Sequence, residues 1–172
     1  MMKKLLLIST FMISHFFVIG QTTDYYSSGF DKYDNDDYYG AITDFTKAIE
    51  IDTENYLAYN FRGTSKQEVG DNYGAIVDFR NAIRLQPNNP DWTHYIYDNM
   101  GVSMMNLGDY KGAINCFDKS IQLNPDYANA YLNRGNCKWN LDYKIQYCCN
   151  DWRLAAYRGS KSAQNKLRSR CN

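Results

Sequence analysis

The stretch Leu107-Gly108-Asp109-Tyr110-Lys111-Gly112-Ala113-Ile114-Asn115-Cys116-Phe117-Asp118-Lys119-Ser120-Ile121-Gln122-Leu123-Asn124-Pro125 decides the fold, because the chain repeats it. Asp37-Tyr38-Tyr39-Gly40-Ala41-Ile42-Thr43-Asp44-Phe45 and Asp71-Asn72-Tyr73-Gly74-Ala75-Ile76-Val77-Asp78-Phe79 keep the same order of aspartate, glycine, alanine, isoleucine and phenylalanine. Gly29, Gly63 and Gly101 each stand sixteen residues before Phe45, Phe79 and Phe117, and Gly135 continues the series, at spacings of 34, 38 and 34. A tyrosine lies four residues before every one of these glycines: Tyr25, Tyr59, Tyr97 and Tyr131. Self-similarity at such a period marks a stack of small supersecondary units.

Each unit holds two apolar segments joined by a turn. In the second segment Ala113, Phe117, Ser120, Ile121 and Leu123 recur at three and four spacing, one face of a helix. Asp37, Asp71, Asp109 and Asp142 stand where a helix N-cap belongs, and Pro87 and Pro125 are stops. The small residues Gly29, Gly63, Gly101, Gly135, Ala41, Ala75 and Ala113 let two helices touch, with Tyr and Phe filling the space beside them.

The anchors in register, with Asn133-Arg134-Gly135 and Asp109-Tyr110-Lys111-Gly112-Ala113-Ile114, resemble the tetratricopeptide repeat (TPR), in a variety familiar from secreted bacterial proteins. The resemblance covers about residues 22–158 and implies an all-α, right-handed α-solenoid of about four helix–turn–helix units. Cys148-Cys149-Asn150-Asp151-Trp152 suggests that Cys148 stands for Ala113 and Trp152 for the phenylalanine anchor. The end of the chain also resembles the related Sel-like repeats. There Gly159 ends one helix, Ser160 caps the next, and Ala163, Leu167 and Cys171 share an apolar face on a terminal capping helix whose basic residues point outward. The expected units are about 22–55, 56–89, 90–127 and 128–159, with the capping helix at 160–171.

The third unit is longer by four residues, close to one helical turn. Its first helix is therefore expected to start one turn early, with Pro90 in its first turn. Trp92 and His94 would sit on that turn at the array's edge, and Trp92 would pack on the preceding helix.

The 172 residues hold 19 basic and 19 acidic side chains, a balance that gives no reason to expect nucleic acid or an anionic membrane as partner. Met1-Met2-Lys3-Lys4 followed by the apolar run Leu5 to Ile19 reads as a secretory signal peptide, residues 1–20, cleaved after Gly20. Residues 21–172 would then form the TPR domain of an exported protein, periplasmic or secreted from a bacterium, without a membrane span. Asp34-Asn35-Asp36-Asp37 is too compact for a calcium loop and reads as a solvated turn.

Export makes a disulfide plausible. Cys149 with Cys171 is the expected pair, tying the capping helix to the last unit; Cys148 reads as a buried thiol, and a Cys116–Cys137 pair stays open. Arg62 and Arg134 precede their glycines, and Asp78 and Asp151 precede their aromatic anchors, so each arginine is expected to pair with the aspartate of its own unit. The third unit lacks both, having Met100 and Cys116.

In TPR arrays the first helices line a concave groove. Phasing from the glycines puts Tyr26, Phe30, Tyr33, Asn60, Thr64, Gln67, Asp98, Val102, Met105, Leu132, Asn136 and Trp139 there. Amides can bond an extended peptide backbone and aromatics can anchor side chains. Tyr26 and Phe30 stand where the carboxylate clamp of chaperone-tail-binding TPR domains would need basic and amide groups, so an acidic C-terminal tail is not the expected ligand. The single histidine after the leader, His94, has no nucleophile at recognisable spacing, and no phosphate loop, metal set or cofactor motif appears. The expectation is a non-catalytic scaffold binding a protein or peptide of unknown identity. The alternative is a self-associating envelope subunit, a homo-oligomer.

Overall fold

A computed structural model describes residues 24–85 and 90–171; the signal-peptide reading and Pro87 lie outside them. Among the described residues the chain forms nine helices and no strand. They are α1 (24–34), α2 (Tyr38–Ile51), α3 (Tyr56–Glu68), α4 (Asn72–Leu85), α5 (Pro90–Asn106), α6 (Tyr110–Leu123), α7 (Ala128–Asn140), α8 (Ile145–Tyr157) and α9 (Lys161–Arg170).

The helices are cut where local chemistry requires it. Asp37, Asp71 and Asp109 each accept a hydrogen bond at 2.9–3.0 Å from the N–H of the glycine three residues on, satisfying a donor that the first helical turn leaves open. Before them the chain turns through a left-handed residue: Asp36, Gly70 or Gly108. In the last turn no glycine is present, and Asp142 takes the left-handed conformation at φ 54°. Asp142 therefore does the work of Gly108 rather than of Asp109, and the expected N-cap there is corrected: α8 starts after Lys144 without a side-chain cap. Aspartate tolerates that conformation better than most residues. Gly159, at φ 91°, ends α8, and the Ser160 hydroxyl accepts from Ala163 N–H at the start of α9.

Small-against-large contacts register each hairpin. A β-carbon at Gly29, Gly63, Gly101 or Gly135 would lie 2.6–2.9 Å from the ring of Phe45, Phe79, Phe117 or Trp152, respectively, so only glycine admits the ring. Trp152 and Cys148 are buried as the fourth-unit alignment requires.

Helix α1 packs on α2 through Gly29 against Phe45 and Lys32 with Asp44, and from α2 each helix packs on the next through α9. Helix α3 also reaches α5, and α5 reaches α7, while rings of α1 meet Phe61 of α3. The odd-numbered helices thus form one continuous layer, drawn closer together than a chain of hairpins alone requires.

Helix α5 is 17 residues long against 13 in α3 and α7, one turn more. The side chains on that turn differ from expectation. Trp92 is 53% exposed, its ring 6.1 Å from Tyr95, instead of packing on the preceding helix. His94 is buried, with Nε2 3.1 Å from the Asn124 amide and its carbonyl accepting from the Ser120 hydroxyl. The extra turn is gripped by the end of α6, which turns the histidine inward and the tryptophan out.

Candidate partner-binding groove

Buried ion clusters hold the hairpins that form this layer. Asp78 accepts from Arg62 Nε and Nη2 at 2.9 and 2.7 Å and from Lys66 Nζ at 2.8 Å. Asp151 accepts from Arg134 at 3.0 and 2.6 Å and from Lys138 at 2.8 Å. Both arginine pairings anticipated from the sequence are present. The lysine one turn later was missed, although its spacing in the helix was readable. Each arginine also reaches back one unit, Arg62 to Thr46 and Arg134 to Asp118, so the clusters join hairpins as well as closing them. The same two arginines lie 5.5 and 5.4 Å from the rings of Tyr59 and Tyr131.

The residues expected from the sequence to line a groove fall into three groups. Tyr26, Phe30 and Tyr33 are half-buried around Phe61, at ring centroid distances of 6.2, 5.1 and 5.7 Å. Phe61 was not among the predicted residues, because it lies one position beyond the phase taken from Gly63. At the other end Trp139 packs on Trp152 at 5.8 Å and is covered by the Arg170 guanidinium, 4.6 Å from its ring centroid. Lys166 lies over Trp152 in the same way. The basic residues of α9 thus do not all point outward, as the sequence suggested; two of them cover aromatic rings. Leu132, Val102 and Met105 are half-buried members of the adjoining cores.

The polar group divides further. Gln67 spends its amide between helices, donating to Asn99 O and Ser103 Oγ at 3.0 and 2.9 Å. Thr64 donates to Asn60 O within α3. Asp98 is buried and, among the described residues, accepts only long bonds, from Tyr127 Oη at 3.5 Å and Asn133 Nδ2 at 3.4 Å. Burial pushes its carboxyl up to about 6, and those two donors only partly offset it. The side-chain oxygens of Asn60 and Asn136 are buried and find no hydrogen-bond partner among the described residues. These three acceptors are the least satisfied among the residues expected to line the groove.

Cys149 and Cys171 form a disulfide with their Cα atoms 5.9 Å apart, joining α8 to the end of α9. Cys116, Cys137 and Cys148 are buried free thiols; Cys116 and Cys137 are not bonded to each other. Burial raises the pKa of all three, to about 11 for Cys116 and about 12 for Cys137, so each is protonated and poorly nucleophilic near neutrality. Among the described residues no helix is long and apolar enough to cross a membrane.

A family model described as a TPR repeat matches residues 101–142, the last part of α5 with α6 and α7. The fold is a tetratricopeptide-repeat solenoid. The chain is similar to the crystal structure of MamA protein at 21% identity, covering 80% of this chain and 73% of that one with a TM-score of 0.72. It is similar to YrrB, a TPR protein with an unusual peptide-binding site, at 18% identity over 78% of this chain and 67% of that one, TM-score 0.66. It also matches the first TPR of Spaghetti (RPAP3) bound to an HSP90 peptide, at 21% identity over 70% of this chain and 93% of that one, TM-score 0.62. No curated protein sequence matches it significantly.

Proposed function

We propose that the chain is a non-catalytic, exported scaffold that holds an extended segment of a protein partner along its odd-numbered helices. The observation that carries this reading is the pair of half-buried asparagines on α3 and α7, Asn60 and Asn136, whose Oδ1 atoms are closed off and unbonded among the described residues. Buried acceptors are normally bonded; turning either amide outward breaks no bond to its oxygen and offers it to the backbone N–H donors of a bound chain. The Asp98 carboxylate, on the helix between them, is a third acceptor with spare capacity. Three acceptors in one layer favour a donor-rich segment over an acidic tail. The half-buried edges of Tyr26, Phe30 and Tyr33 offer apolar contact at one end. The Cys149–Cys171 disulfide supports an oxidising compartment, and hence export.

Co-purification from native extract with the wild-type chain and with Asn60→Ala/Asn136→Ala tests the groove. Neither amide oxygen has a bond to lose, so the double variant should melt with the wild type and lose the partner. A partner retained by the double variant refutes binding in this layer. Concentration-dependent assembly with no captured partner favours the self-associating alternative.

A further inference from the structure

The positions that hold Arg62, Lys66 and Asp78 in one hairpin, and Arg134, Lys138 and Asp151 in another, are taken by Met100, Met104 and Cys116 in the hairpin between them. In both ionic hairpins two cationic ends from one helix converge on a single carboxylate of the next, and in the first hairpin Ser28 and Lys32 converge on Asp44 in the same way. The same frame carries sulfur here, and two of the three sulfurs meet. Cys116 Sγ lies 3.7 Å from Met104 Sδ, and Met100 and Cys116 belong to one buried cluster, 7% and 6% exposed. All three residues differ together. Each of the three carries sulfur, so the same apolar set that fills the space also brings soft ligands together.

We propose that Met100, Met104 and Cys116 form a binding site for a soft monovalent cation, Cu(I) or its analogue Ag(I). Thiolate and thioether ligands select Cu(I) over harder ions. One thiolate and one monovalent ion make a neutral unit, which an apolar interior accepts; a divalent ion would leave a buried net charge. Metal–sulfur bonds of about 2.3 Å at trigonal angles put two ligand sulfurs about 4 Å apart, close to the spacing already present. On binding, the Cys116 Sγ–H bond breaks, its proton goes to solvent and an Sγ–Cu bond forms. The two thioethers lend lone pairs, and copper stays in the same oxidation state throughout. A cleft of about 450 Å³ bordered by Tyr73, Val77, Arg80, Leu107 and Asp109 reaches Met104 and supplies an entry path.

The test is an anaerobic titration of the full chain, disulfide intact, against Cu(I) buffered by bathocuproine disulfonate. The wild type should take up one equivalent with near-ultraviolet thiolate-to-copper absorption. Cys116→Ser should lose both, and Cys137→Ser and Cys148→Ser should keep them. Met100→Leu/Met104→Leu, which conserves volume, should keep the far-ultraviolet circular dichroism and weaken uptake by about tenfold or more. No uptake by the wild type, or equal uptake by Cys116→Ser, overturns the site. If Cys116→Ser does not fold, unchanged uptake by the methionine double variant overturns it instead.

Discussion

Consider Asp78→Ala set against the triple replacement Arg62→Met/Lys66→Met/Asp78→Cys, which installs the third hairpin's residues in the second. The Asp78 side chain is 1% exposed and accepts three charged donors; those of Arg62 and Lys66 are 15% and 21% exposed. Removing the carboxylate alone strands two largely desolvated cations beside each other. Breaking a buried pair in this way costs about 3–5 kcal/mol, and the partial exposure of both cations places the expectation near about 3 kcal/mol. The triple variant removes the charges together and refills the space with residues the same backbone already accommodates. Replacing a buried ion cluster by apolar groups of similar volume is close to neutral, so a change of about 1 kcal/mol or less is expected. Urea denaturation followed by circular dichroism reads both. A triple variant as unstable as Asp78→Ala would refute the reasoning, since the cluster would then contribute net stability rather than merely tolerate no halving.

Three further outcomes follow from the geometry. Gly101→Ala should destabilise the array by about 1 kcal/mol in the same assay, because a methyl 2.6 Å from the buried Phe117 ring overpacks the core by more than the helix gains from alanine. Asp98→Asn should stabilise the chain at pH 7.5 by up to about 3 kcal/mol. The folded pKa, about 6, lies above the ordinary 3.8, so stability falls as pH rises from the lower value to the higher; the variant's advantage should vanish below the lower value, and a pH series of melting curves checks it. Cys171→Ser should release α9, worth about 3 kcal/mol of cross-link, and uncover Trp139 and Trp152, seen as a red shift in tryptophan emission.

The repeat made much of this fold readable in advance. Glycine at sixteen residues from an aromatic ring is a contact written in spacing; in the fourth hairpin, where the interval from Gly135 to Trp152 is one residue longer, the run Cys148–Trp152 carried the register instead. Arg62 with Asp78 was readable because residue types covary between units of one chain. What escaped depends on three-dimensional competition for the same groups. Asp142 had to replace an absent glycine and so was not free to cap. Gln67 could be placed in the groove layer by phase, but phase says nothing of Asn99 and Ser103, which claim its amide. Trp139 was likewise placed without Arg170, which arrives from a helix beyond the repeat and covers it. The sequence named a layer; which of its members are left over for a partner depended on pairings between helices.

The Cys149–Cys171 bond also gives the array a direction. A stack of hairpins holds together by neighbour contacts, so its cheapest opening peels one end unit from the next. At one end that route is clasped, since α9 cannot leave α8 while the bond stands. Fluctuations, amide exchange and proteolytic nicking should therefore enter preferentially from the α1 side, and a reductant should open the second door. Redox conditions would then govern the order in which the protein comes apart.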